Sequence, residues 1–124
     1  WVNPKTIAGG LRDPIPWDGD AALKSIRDSG GTAETISDEE ILEAQKLLAR
    51  TEGIFAEPSG AASVAGAIKL SKVGVIRPDE LVVIEVTGSG LKDPATVAQM
   101  FQEPKLINPT IKEFEDLLGE GSGQ

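Results

Sequence analysis

The sequence predicts an α/β fold in which helices alternate with parallel strands, and three observations carry the prediction. Residues 81–87, Leu-Val-Val-Ile-Glu-Val-Thr, form the near-continuous aliphatic run of a parallel strand buried on both faces. Residues 59–73 hold Ala61, Ala62, Val64, Ala65, Gly66, Ala67, Ile68 and Leu70, a helix apolar around much of its girth and slim enough to approach a sheet or another helix closely. Glycine and proline punctuation separates the patterns into helix, strand, helix, strand, helix, strand, an order that right-handed crossovers between parallel strands explain.

The elements follow in chain order. Pro14, Pro16 and Gly19 keep residues 9–19 irregular, and a helix then runs from Asp20 to Ser29, with Leu23 and Ile26 at helical spacing, closing at Gly30-Gly31. Thr-Ala-Glu-Thr-Ile at 32–36 suits a short strand. Ser37-Asp38-Glu39-Glu40 is a capping box, in which the Ser37 hydroxyl accepts from the Glu40 amide while the Glu40 carboxylate reaches back. The helix behind it turns Ile41, Ala44, Leu47 and Leu48 inward and Glu39, Glu43, Lys46 and Arg50 to solvent, with Gly53 as a left-handed stop. Ile54–Ala56 is a brief strand-like run. Gly74 ends the small-residue helix, and Arg77-Pro78-Asp79-Glu80 turns the chain into 81–87. Residues 110–118 add a last helix with Ile111, Phe114, Leu117 and Leu118 toward the core, and the glycine-rich stretch 119–124 is expected to be a flexible tail. Residues 1–118 are accordingly expected to form one domain, a length that can bury about two thirds of its unfolded surface.

Composition limits the chemistry. With 20 acidic against 12 basic side chains the net charge is −8, which disfavours nucleic acid, since phosphate must be neutralised by Lys and Arg. There is no His, Cys or Tyr, hence no imidazole base, thiolate, phenol, disulfide or His/Cys zinc site, and no metal is expected. Catalysis would rest on carboxylates, hydroxyls, lysines, backbone groups or a cofactor. The longest aliphatic stretch, Leu81 to Ile84, is far short of the ~20 apolar residues of a membrane span, and the amino terminus has no signal-peptide pattern. A cytoplasmic protein without membrane contact is expected. Residue 1 is Trp and the one methionine is Met100, so the chain is expected to begin inside a longer protein.

In open α/β sheets ligands gather where strand ends meet helix amino termini, and two segments qualify. Thr87-Gly88-Ser89-Gly90-Leu91-Lys92-Asp93-Pro94 presents a hydroxyl at the end of the aliphatic strand, followed by glycines that let backbone approach a flat ligand or that serve a turn with positive φ. Glu57-Pro58-Ser59-Gly60-Ala61-Ala62-Ser63 sets a carboxylate before a helix amino terminus; it can equally be read as Ser59 capping the helix and Glu57 complementing its dipole. Ser89-Gly90-Leu91-Lys92 fits an S-x-x-K pattern without the companion motifs of penicillin-binding enzymes, and Gly88-Ser89-Gly90 lacks the third glycine of a dinucleotide fingerprint, so neither carries a reading. Glu85, inside an aliphatic run, must be paired, at a rim or at an interface.

Together with Thr6-Ile7-Ala8-Gly9-Gly10-Leu11-Arg12 and Ser37–Ala44, these two segments make the chain resemble, over residues 4–94, the carboxyl-terminal portion of the threonine synthases of the fold-type II pyridoxal-phosphate (PLP) family. The resemblance implies part of a three-layer α/β/α parallel sheet, PLP as cofactor in the complete enzyme, and conversion of O-phosphohomoserine and water to threonine and phosphate. It places the Thr87 hydroxyl against the cofactor's pyridine nitrogen, Gly88 at the ring edge and Glu57 near the same part of the cofactor. It also implies that the Schiff-base lysine lies upstream. None of the eight lysines stands in its context, so the isolated chain is expected to be inactive and, lacking neighbouring strands, to form a homo-oligomer or swapped dimer. Dehydratase-like relatives more often carry serine in a Ser-Gly-Gly turn at the position of Thr87, although Ala8-Gly9-Gly10 matches them as well. A dehydratase-like part, or a non-catalytic module binding a small ligand or a partner chain, are the alternatives.

Overall fold

The computed structural model describes residues 2–101 and 103–120. Among the described residues five α-helices follow one another: α1 (Gly19–Asp28), α2 (Asp38–Glu52), α3 (Pro58–Lys72), α4 (Pro94–Ala98) and α5 (Ile111–Glu120), with short 3-10 turns at Gly9–Leu11 and Gly90–Lys92. The α2–α3 pair is the body of the molecule. Its core consists of Ala8, Ile41, Ala44, Ala56, Ala61, Ala62, Val64 and Ala65, with Ile36, Leu48, Ile68 and Val86 packed around them. Alanines dominate because the helices lie close, as the small-residue stripe of α3 requires.

The helix ends are chemically marked. Both halves of the Ser37/Glu40 capping box are present, and α2 stops at Gly53 in the left-handed conformation (φ 69°). Gly30 and Gly74, at φ 65° and 77°, follow α1 and α3 in the same way. Other expectations are corrected. The residue before α3 is Glu57, with Pro58 in the first turn, so Ser59 lies inside the helix instead of capping it. On α2, Leu47 is exposed and Gln45 is buried in its stead, because the Gln45 amide donates from Nε2 to the Ala56 carbonyl at 2.5 Å and pins the chain entering α3. Ile111, Phe114 and Leu118 of α5 are exposed, since no element covers that face among the described residues. The helix runs to Glu120, two residues into the expected tail, whose remaining residues 121–124 lie outside the described ones.

The strand segments depart most. Among the described residues no ladder forms at 32–36 or 81–87, and a single antiparallel bridge joins Ala56 to Ser89. Leu81, Val82, Val83 and Ile84 are exposed where a buried strand was expected, because the described residues supply a helix for one face of 81–87 and no neighbouring strand. The exposures nevertheless alternate, 96%, 42%, 90% and 39%, with Val82 and Ile84 turned toward Ala67, Ile68 and Ser71 of α3. Period two is the mark of strand geometry. Glu85 is exposed, consistent with a rim or interface position. No helix among the described residues is long and apolar enough to cross a membrane.

Candidate functional site

Three of the segments singled out in the sequence converge on the first two turns of α3. The Ser59 hydroxyl accepts from the Gly10 amide at 2.9 Å, tying Gly9–Leu11 to the helix. One turn on, Ser63 Oγ lies 2.8 Å from the carbonyl oxygens of both Gly60 and Glu85, so its one proton serves an oxygen of the helix and one of the segment leading to Thr87. Between them Gly60 lies against the Thr87–Gly88 backbone. A Cβ at 60 would stand 3.2 Å from the Gly88 nitrogen and 3.3 Å from its oxygen and from the Thr87 nitrogen, tighter than backbone tolerates without moving.

The turn after 87 is clamped from its other side. Glu57 N–H donates to the Gly88 carbonyl at 2.9 Å and Gly90 N–H to the Phe55 carbonyl at 2.8 Å. Its glycines have no positive φ: among the described residues only Gly30, Gly53 and Gly74 do. Space is what they supply. A Cβ at 88 would fall 2.1 Å from Glu57 Oε1, and one at 90 would fall 2.4 Å from the Phe55 ring. The Glu57 side chain makes no cap hydrogen bond to α3; its Oε2 meets Lys92 Nζ at 3.1 Å, with Glu57 19% and Lys92 66% exposed.

Thr87 is exposed, and among the described residues no hydrogen bond engages its hydroxyl. The fourth segment holds the amino-terminal arm: Asp38, in the first turn of α2, accepts from Thr6 Oγ1 at 2.5 Å and from the Ile7 amide at 3.2 Å. The arrangement therefore offers a neutral hydroxyl on open surface, flanked by side-chain-free backbone, on a platform fixed by two serines and a glycine. Among the described residues no cluster of three or more His, Cys, Asp or Glu could hold a metal. The structure brings Thr87, Gly88 and Glu57 together at this turn. Ser59 and Ser63 as stitching residues and the Glu57–Lys92 pair were missed. The signal was present as two serines one helical turn apart on a small-residue helix and opposite charges on facing turns.

The family model for pyridoxal-phosphate dependent enzymes matches residues 1–88. The chain belongs to that family. Its relatives are consistent. A threonine synthase of Methanosarcina acetivorans is 50% identical over 116 residues, covering 94% of this chain and 29% of that protein. One of Methanocaldococcus jannaschii is 48% identical over 120 residues, 97% of this chain and 30% of the relative. A threonine synthase of Bacillus sp. strain ULM1 is 48% identical over 92 residues, 74% of this chain and 26% of its own length. The chain thus spans under a third of the length of these PLP-family relatives.

Proposed function

We propose that this chain is the cofactor-facing part of a threonine synthase, in which O-phosphohomoserine and water give threonine and phosphate, with residues 1–118 belonging to the PLP-binding domain. The observation that carries the reading is the convergence of the three segments at α3, in a chain that shares about half its residues with threonine synthases along nearly its whole length. The residues fit the pyridine end of the cofactor: a hydroxyl without a partner among the described residues stands beside a glycine, and a methyl at Gly60 would shift that turn by a few tenths of an ångström. When bound, pyridoxal phosphate supplies an electron sink for a carbanion formed next to the amino-acid carboxylate.

In this reading the Thr87 hydroxyl meets the pyridine nitrogen. A neutral hydroxyl does not hold that nitrogen protonated as a carboxylate would, so charge is delocalised less completely, which suits elimination and replacement at the β and γ carbons. Gly88 leaves room at the ring edge. Glu57 stands next to the same turn and would lie near the same part of the cofactor. The reading also completes the fold: 32–36, 54–56 and 81–87 become strands of a parallel three-layer α/β/α sheet whose missing neighbours belong to the rest of the enzyme. The alternating exposure of 81–84 supports this, as do Leu81 and Val83, bare at 96% and 90%.

The test is phosphate release from O-phosphohomoserine, followed with and without added pyridoxal phosphate, by the complete protein and by the 124-residue chain. The complete protein should release phosphate in step with threonine, and the chain alone should release none. Formation of a 2-oxo acid and ammonia from threonine or serine, without phosphate release from O-phosphohomoserine, would replace this reading with a dehydratase.

A further inference from the structure

We propose that Lys92 is a positioning residue that, through Glu57, sets the Thr87–Gly90 turn on α3 and thereby aims the Thr87 hydroxyl. The inference rests on the reading that this turn meets the cofactor. Glu57 is the residue before α3, and its side chain makes no bond to the free amides of the first turn. Its Oε1 instead occupies the space where a side chain at 88 would begin, and its Oε2 is held 3.1 Å from Lys92 Nζ.

Lys92 closes the short 3-10 turn that starts at Gly90, a turn opened by the Ser89 hydroxyl accepting from the Leu91 amide. The ion pair therefore joins the two ends of a bracket. One end is the start of α3, the other is the turn beyond Thr87, and between them run the backbone bonds Glu57 N–H to Gly88 and Gly90 N–H to Phe55. Thr87 has no side-chain hydrogen bond of its own among the described residues, so the place from which its hydroxyl is offered is set by the backbone this bracket holds. A pair with one partner 66% exposed adds little to global stability. Its effect should show where orientation matters.

The experiment uses the complete holoprotein and four variants, Lys92→Met, Lys92→Arg, Glu57→Gln and the Lys92→Met/Glu57→Gln double, with pyridoxal-phosphate affinity and the visible absorption band of the bound cofactor as readouts beside activity. Lys92→Met should weaken cofactor binding about fivefold and shift the band. Lys92→Arg should restore both. Glu57→Gln should reproduce the loss, and the double variant should add nothing to it, because the two act as one unit. In a Thr87→Ala background Lys92→Met should be silent. If the parent protein binds no cofactor, the functional reading itself fails. If the parent binds it and Lys92→Met matches the parent in affinity and absorbance, or loses affinity while Glu57→Gln does not, the positioning role is overturned and the functional reading stands.

Discussion

A methyl group at position 90 would land 2.4 Å from the Phe55 ring, and one at 88 would land 2.1 Å from the Glu57 carboxylate. The two collisions have different consequences. Phe55 is a half-buried ring, so Gly90→Ala should force the turn off α3 and cost about 1–3 kcal/mol. Glu57 ends in a flexible chain and can swing away, so Gly88→Ala should leave the thermal midpoint nearly unchanged while breaking the pair with Lys92. Thermal unfolding of both variants checks this; equal losses would show that the two glycines serve one backbone purpose. The glycines themselves were legible in the sequence as markers of close approach. Whether they supplied left-handed φ or space was not, because the colliding atoms belong to residues 55 and 57, and only the tertiary structure brings these to the turn.

Local hydrogen bonding made the helices readable. Ser37, Glu40 and Gly53 lie within or next to the helix they bound, so α2 was predicted nearly to the residue. Its interior was harder: Gln45 looks solvent-facing by type, and only the carbonyl of Ala56 across the α2–α3 interface explains its burial. At α5 the same local logic gives a pH dependence. The Asn108 side-chain amide and backbone N–H both donate to Glu113 at 2.7 Å and hold its carboxyl below the usual range. A lowered value means that the contribution is complete above the ordinary glutamate value of about 4.3 and is lost as pH falls through the lowered one. In an NMR titration the Glu113 carboxyl should protonate below the ordinary value, and Asn108→Ala, which removes the side-chain donor and keeps the backbone one, should move it part of the way back. Identical midpoints in the two proteins would remove the cap from this account.

At the scale of the whole molecule, α2 and α3 supply most of the buried core, and residues 32–36 and 81–87 form no ladder among the described residues. Residues 81–87 carry the aliphatic pattern expected of a buried strand, and the exposures of 81–84 alternate. The bare side chains of Leu81, Val83 and Phe114 lead to an expectation about association. Light scattering of the 124-residue chain should show a species larger than a monomer, and Leu81→Lys with Val83→Glu should reduce it. A monodisperse monomer at high concentration would mean that these faces need no cover.

If the Thr87 hydroxyl faces the pyridine nitrogen, the nitrogen itself reports it. With ¹⁵N-labelled pyridoxal phosphate bound to the complete protein, the ring nitrogen should resonate as unprotonated, and Thr87→Asp should move it to the protonated position. A nitrogen already protonated in the parent protein, or one indifferent to the residue at 87, would contradict the assignment.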